Sequence, residues 1–163
     1  PILDKALMIS ANEIQNIQSI EVSVNPKVDV DVQDDYNTQR ITSPTVLIVD
    51  DNLSNIQLVR DYLKRKGYNI LTAEDGYQAV QVTRLHQPGL ILMDIQMPHM
   101  DGIEATTHIK DDPNISDIPI FALTALAMPG DRERCINAGM SEYFTKPVSL
   151  RGLYKKVKET IGP

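Results

Sequence analysis

Five short apolar runs, separated by segments with helical spacing, constrain the fold of this chain more than any other feature. The runs are VLIV (46–49), NILT (69–72), LILM (90–93), IFAL (120–123) and YFT (143–145). Apolar strands that alternate with amphipathic helices are typical of a parallel sheet with helices on both faces. The pattern therefore predicts one α/β domain, a doubly wound (βα)5 fold, over residues 45–163.

The segments between the runs place apolar residues three or four positions apart, which predicts that each helix buries one face. The predicted buried faces are Ile56, Val59 and Leu63 in the first helix, Ala79, Val82 and Leu85 in the second, and Ile103, Thr106 and Ile109 in the third. Gly67 and Gly139 stand where the C-terminal caps of helices belong.

Residues 1–44 differ from the rest of the chain in composition. They are acidic, contain no glycine and show no sustained period of apolar residues. Such composition is typical of a linker, so we interpret the segment as an N-terminal linker or extension. The stretch PILDKALM at the start is similar to PVSLRGLY at residue 147, which favours a second interpretation as the tail of a preceding domain.

Charge and cysteine content narrow the function classes. The net charge of -6 argues against a nucleic-acid surface, which would be basic. The single cysteine, Cys135, cannot form an internal disulfide, as is usual in a reducing cytoplasm. No apolar stretch approaches the length of a membrane span. We therefore expect a cytoplasmic domain that contacts neither nucleic acid nor membrane.

Polar side chains follow four of the five apolar runs. Asp50 and Asp51 follow the first run, Asp94 the third, Thr124 the fourth and Lys146 the fifth. In open parallel sheets, ligands bind beyond the carboxyl ends of the strands. The fold therefore predicts that three acids, a hydroxyl and an ammonium converge on one edge of the sheet.

The predicted cluster suits phosphoryl chemistry. Any one of these acids alone would be read as a helix N-cap. Three carboxylates together repel one another unless protons or a cation neutralise them, and an all-oxygen ligand set suits Mg²⁺ or Mn²⁺. A carboxylate with a cation, a hydroxyl and an ammonium around it is equipped to accept a phosphoryl group.

Four motifs resemble the receiver domain of two-component response regulators. They are VLIVDDN with its acidic pair, LILMDIQMPHMDG around an aspartate, ALTA with a hydroxyl residue, and EYFTKP with an aromatic residue and a lysine. The motifs occur in the order and at the spacings that are usual in receivers, over residues 45–162. The resemblance implies a flavodoxin-like fold with strand order 2-1-3-4-5.

The resemblance implies a role for each acid. Asp94 would be the phosphoacceptor and a metal ligand, and Asp51 would bind Mg²⁺ directly. Asp50 would hold the metal mainly through water. The backbone carbonyl of Gln96 would complete the protein ligands.

It also implies how the phosphoryl group is held and sensed. Thr124 and Lys146 would contact the phosphoryl oxygens. Tyr143 would swing inward when Thr124 moves toward the phosphate, so these two residues would form a switch. The peptide bond before Pro147 would be cis.

The partner implied by the resemblance is a histidine kinase or a histidine phosphotransfer domain. DDNLSNIQLVRDYLKRKGY is similar to the receivers of hybrid histidine kinases. Such a partner would dock on the first helix, near Leu53, Ile56 and Gln57. A stand-alone single-domain response regulator is the alternative context, and the oligomeric state stays open.

A phosphatase of the haloacid dehalogenase type is the main alternative from another class, because it also uses an aspartate nucleophile, a threonine and a lysine. Such enzymes carry a second aspartate two residues after the nucleophile as general acid. Here Gln96 follows Asp94 and Asn52 follows Asp50. We therefore expect no turnover of outside substrates, only self-phosphorylation and self-dephosphorylation. A receiver that binds partners without being phosphorylated is a third reading, which the complete set of acids and Lys146 disfavours.

Overall fold

The computed structural model describes residues 43–125 and 130–162. The predicted N-terminal extension, residues 1–44, lies outside this part except for Ser43 and Pro44, so it stays a prediction. No helix in the described ranges has the length and apolar character that crossing a membrane requires.

Strands and helices alternate along the described chain. The strands are β1 (Thr45–Val49), β2 (Asn69–Ala73), β3 (Leu90–Asp94), β4 (Ile120–Thr124) and β5 (Glu142–Thr145). The helices are α1 (Leu53–Lys64), α2 (Gly76–His86), α3 (Gly102–Lys110), α4 (Asp131–Asn137) and α5 (Leu150–Ile161). Each strand contains the apolar run that predicted it and extends it by one residue.

The strands form one parallel sheet in the order β2-β1-β3-β4-β5. This is the flavodoxin-like order, so the predicted fold is confirmed. The register decides what meets at the carboxyl edge of the sheet. Val49 pairs with Met93, which brings Asp50 level with Asp94, and Thr124 pairs with Thr145, which brings Lys146 just beyond it.

Apolar side chains cover both faces of the sheet, because successive strand residues point to opposite sides. Leu47 and Val49 belong to a core cluster shared with α2, α3 and α4. Val46 and Ile48 belong to a second cluster shared with α1 and α5. The central strands are therefore held from both sides, and their carboxyl ends are fixed in place.

The predicted buried face of α2 is wrong at Leu85, which is 78% exposed. The buried face instead includes Ala79, Val80 and Thr83. A threonine can be buried there because its hydroxyl donates to the Ala79 carbonyl at 2.6 Å. In α3, Thr106 is buried in the same way, with its hydroxyl bonded to the carbonyl of an earlier turn.

Candidate functional site

The structure brings the three predicted acids together. Asp50 and Asp94 are 2% and 4% exposed at the ends of two adjacent central strands, while Asp51 lies at the surface. Each offers a carboxylate oxygen, and these oxygens all lie within 4.8 Å of one another. Such closeness is unfavourable for three negative charges in the absence of a counter-charge.

Lys146 supplies one counter-charge between two of the acids. Its Nζ lies 2.7 Å from Asp50 Oδ2 and 2.8 Å from Asp94 Oδ2. The backbone holds the lysine there, because its N–H donates to the Thr124 carbonyl at 2.7 Å. The peptide bond between Lys146 and Pro147 is cis.

Asp50 accepts hydrogen bonds on both of its carboxylate oxygens. The Asn52 backbone N–H donates to Oδ1 at 2.9 Å. The Asn55 side-chain amide donates to Oδ1 at 3.0 Å and to Oδ2 at 3.1 Å. Together with Lys146, these donors hold the carboxylate in one orientation.

In the part of the chain that the structure describes, two groups donate to Asp94, against three to Asp50. The Gln96 N–H lies 3.3 Å from its Oδ1, and Lys146 contacts its Oδ2. Burial raises the pKa of Asp94, and the charge of Asp50 adds to this rise, against the lowering effect of Lys146 and the Gln96 N–H. The hydrogen bonds to Asp94 therefore do not fully offset the effect of burying its charge.

The pKa of Lys146 is also raised: burial acts to lower it, but its hydrogen bonds to Asp50 and Asp94 outweigh burial. The raised pKa values have opposite consequences for charge: the charged form of Lys146 is favoured, whereas the charged form of Asp94 is disfavoured. The geometry explains the difference, because one ammonium is shared between two buried carboxylates and cannot neutralise both. The cluster therefore has an excess of negative charge.

A divalent cation would remove that excess, and the donor set fits one. The ligand atoms available are carboxylate oxygens from Asp50, Asp51 and Asp94, which suit a hard cation such as Mg²⁺. Gln96, whose carbonyl is the fourth predicted ligand, is exposed and directly follows this edge of the sheet. Its role as a ligand stays a prediction.

The loop after Asp94 is held close to the strand end by Gly102, the first residue of α3. Its N–H donates to the Ile95 carbonyl at 3.0 Å. A Cβ at this position would overlap the Asp94 carbonyl oxygen. Only glycine allows α3 to begin this close to the aspartate.

Thr124 and Tyr143 lie on the neighbouring strands β4 and β5. Thr124 is 1% exposed at the end of β4. Tyr143 pairs with Ala122, two residues before Thr124, so both side chains leave the same face of the sheet. Tyr143 is half-buried against the core cluster that contains Cys135 of α4, and burial raises its pKa.

Two residues of this site escaped the sequence analysis. Asn52 is the N-cap of α1, where its side chain accepts from the Ser54 N–H, and its own N–H bonds Asp50. Asn55 lies near the start of the same helix and contacts both Asp50 oxygens. The available signal was the spacing DDNLSN, in which an amide follows a strand-end acid just inside a helix.

Comparison with protein families finds one match that covers most of the described chain. The response regulator receiver domain family matches residues 46–158. Among curated relatives, the polar-differentiation response regulator DivK of Brucella anthropi is 41% identical over 118 residues, which are 72% of this chain and 96% of DivK.

Solved structures include similar receivers. The receiver domain of sensor histidine kinase PA1611 from Pseudomonas aeruginosa, with a magnesium ion in its active site cleft, has 37% identity and a TM-score of 0.69. The match covers 74% of this chain and 99% of that one. The receiver domain of Ssk1 from Saccharomyces cerevisiae, crystallised with the histidine phosphotransfer protein Ypd1, has 32% identity and a TM-score of 0.68 over 74% and 90% of the two chains.

Proposed function

The chain belongs to the response regulator receiver family of two-component signalling, and from this premise we propose that it accepts a phosphoryl group on Asp94. One observation carries the proposal. Asp94 is buried at the end of a central strand, with Lys146 Nζ 2.8 Å from one oxygen and the Gln96 N–H 3.3 Å from the other. Burial raises the pKa of Asp94, and the nearby charge of Asp50 adds to this rise.

In the proposed reaction, an Asp94 oxygen attacks phosphorus while the bond to the donor breaks. With a phosphohistidine donor, the new O–P bond replaces the P–N bond, and the imidazole leaves with the bonding electron pair. Bound Mg²⁺ would supply positive charge to the carboxylates and to the phosphoryl oxygens. Lys146 holds a fixed positive charge beside the attacking oxygen, and Asp50 keeps that lysine in place through its 2.7 Å contact.

We assign the response to phosphorylation to Thr124 and Tyr143. The Thr124 hydroxyl sits at the edge of the sheet where the phosphoryl group would form, so it can donate to a phosphoryl oxygen. A shift of Thr124 would change the space beside Tyr143, which leaves the same face of the sheet. Phosphorylation would thereby change the conformation of the surface formed by β5 and α4.

The proposed phosphodonor is a histidine kinase or a histidine phosphotransfer domain, as the complex of the Ssk1 receiver with Ypd1 suggests. The first helix offers a partly apolar surface for it, because Leu53 and Leu58 are 57% and 59% exposed. Ile56 is not part of this surface, since it is 3% exposed and packs in the core. A cavity of about 140 Å³ beside Leu58 reaches Lys146 and Pro147.

A hybrid sensor histidine kinase is the context we propose for this receiver. The support is the 37% identity to the receiver domain of a sensor histidine kinase. A stand-alone response regulator is the second candidate. It is favoured by DivK, 96% of which aligns with this chain.

We propose no turnover of outside phosphoesters, because the site provides no general acid beside the nucleophile. Gln96 occupies the position two residues after Asp94, and its amide cannot donate a proton to a leaving group as a carboxylic acid can. Release of phosphate from a panel of phosphomonoesters would contradict this reading and support a phosphatase.

Intact-mass spectrometry of the chain after incubation with acetyl phosphate tests the proposed function. The wild-type chain should gain the mass of one phosphoryl group when Mg²⁺ is present and none when it is removed by a chelator. Asp94→Asn should gain nothing in either condition. A gain that persists in Asp94→Asn or without a divalent cation would refute the proposal.

A further inference from the structure

Asn55 is the side chain that contacts both oxygens of the Asp50 carboxylate. Its amide nitrogen lies 3.0 Å from Oδ1 and 3.1 Å from Oδ2. Two other donors each reach a single oxygen, the Asn52 N–H at 2.9 Å and Lys146 Nζ at 2.7 Å. The plane of the Asp50 carboxylate is therefore set by Asn55.

The fold holds Asn55 itself in place. Helix α1 begins one turn after Asp50, and the N–H of Asn55 donates to the Asn52 carbonyl at 3.0 Å. The next residue, Ile56, is 3% exposed in the core, which fixes the rotation of the helix. An amide at this position consequently points back at the strand end.

We propose that Asn55 is a positioning residue for metal binding, which acts by holding the Asp50 carboxylate in the orientation that a divalent cation requires. This inference rests on the proposed function, since it assumes that Asp50, Asp51 and Asp94 bind a cation. Removing a group that orients a metal-binding carboxylate typically weakens metal affinity about 10- to 100-fold.

The chemistry of the amide suits this task. A lysine or arginine at residue 55 would add a second positive charge beside Lys146 and oppose a cation. An acid would repel Asp50 and remove the donor that contacts both of its oxygens. The neutral amide donates hydrogen bonds while it leaves the negative charge of the cluster available to the metal.

The test must distinguish a role of Asn55 in metal binding from a purely structural role. The side chain also lines the cavity of about 140 Å³ between α1 and the segment of Pro147 and Val148. If Asn55 only fills space there, its replacement would change the stability of the fold and leave the metal affinity of the folded chain unaltered.

The test is the affinity of the whole chain for Mn²⁺, measured from the electron paramagnetic resonance of the free ion and repeated in competition with Mg²⁺. Asn55→Leu keeps a side chain of similar size without a donor, and Asn55→Ala removes the side chain. Gln81→Ala is the matched control, since it removes an exposed amide from α2, outside the site. Circular dichroism establishes that each variant is folded at the temperature used.

Both Asn55 variants should bind Mn²⁺ about 10- to 100-fold more weakly than the wild-type chain, while Gln81→Ala binds it equally well. The Mg²⁺ concentration for half-maximal phosphorylation by acetyl phosphate should rise in parallel, and saturating Mg²⁺ should restore most of the rate. Folded Asn55 variants with wild-type Mn²⁺ affinity would overturn the inference. If the wild-type chain binds the metal but takes no phosphate, the proposed function is refuted. The Mn²⁺ affinities of the Asn55 variants then still decide the inference about Asn55.

Discussion

Helix α1, beside the acids, begins with a side-chain cap at Asn52, whereas α4, beside Thr124 and Tyr143, begins at Gly130 with no side-chain hydrogen bond at its cap in the described residues. We call the first region the acidic side (Asp50, Asp94, Lys146 and α1) and the second the α4 side (Thr124, Tyr143 and α4). Helices α2, α3 and α5 also have side-chain caps, at Asp75, Asp101 and Ser149.

The two regions therefore differ in how firmly the start of the helix is held. A cap contributes roughly 1 kcal/mol to a helix, and short helices gain little stability by themselves. Helix α4 has 7 residues, against 12 in α1. Under the proposed function, the acidic side would hold the reacting groups in place, and the shorter, uncapped α4 would rearrange at a smaller cost in free energy.

Breaking the acidic side at Lys146 should have the largest effect on stability. Lys146→Met leaves two buried carboxylates without their counter-charge and should lower the free energy of unfolding by about 3 kcal/mol in metal-free urea denaturation. Mg²⁺ should recover part of this loss, because it neutralises the same carboxylates. Lys156→Met is the control, since it removes a surface pair with Glu142 and should change stability little. Equal losses in the two variants would contradict the account.

Gly102→Ala should disturb the same side through the backbone. The added Cβ overlaps the Asp94 carbonyl oxygen, so the free energy of unfolding should fall by about 2 kcal/mol, and phosphorylation by acetyl phosphate should slow. Gly152→Ala should have the opposite sign, because the nearest atom to its Cβ would be Ser149 Oγ at 3.5 Å and alanine favours a helix. An unchanged phosphorylation rate in Gly102→Ala would show that the close approach does not position Asp94.

Asp94→Asn should stabilise the metal-free domain at neutral pH by roughly 1 kcal/mol, the usual scale of a single substitution. The pKa of Asp94 is raised in the folded state, mainly by burial. Its contribution to stability is therefore fully present below the unfolded-state pKa and is lost as the pH rises through the folded-state pKa. Urea denaturation across this acidic range should show that loss in the wild-type chain and its absence in Asp94→Asn; identical profiles would count against a poorly neutralised Asp94.

Thr124→Val should have the smallest effect on the chemistry and a selective effect on the α4 side. The variant keeps the shape of the side chain without its hydroxyl, so the chain should still gain a phosphoryl group. The nuclear magnetic resonance signals of the Tyr143 ring should shift on phosphorylation of the wild-type chain and remain in place in the variant. Thr145→Val, at the paired position on β5, is the control and should retain the shift. If the Tyr143 ring signals of Thr124→Val shift on phosphorylation as in the wild-type chain, the Thr124 hydroxyl has no part in the switch.

The elements and the meeting of the acids were predictable from sequence because they follow from local pattern and topology. Apolar runs predict strands, and parallel strands bring the residues after Val49 and Met93 to one edge. The buried face of α2 was mispredicted at Leu85, because a threonine can replace an apolar residue when its hydroxyl bonds within the helix.

Two features of the site depend on distances that residue spacing alone does not determine. The amide of Asn55 acts on Asp50 because the chain turns back between them, which requires the actual geometry of the strand end and helix. The need for glycine at residue 102 arises from how closely α3 approaches the Asp94 backbone. Only the fold gives the steric reason for this glycine.

The most direct test of the central claim is to find which acid carries the phosphoryl group. Acetyl phosphate and Mg²⁺ would be added to the wild-type chain, the acyl phosphate reduced with borohydride, and the product digested and sequenced by tandem mass spectrometry. We expect conversion to homoserine at Asp94 and at neither Asp50 nor Asp51. Conversion at Asp50, the carboxylate held by Asn52, Asn55 and Lys146, would contradict the assignment of the fixed and reacting acids.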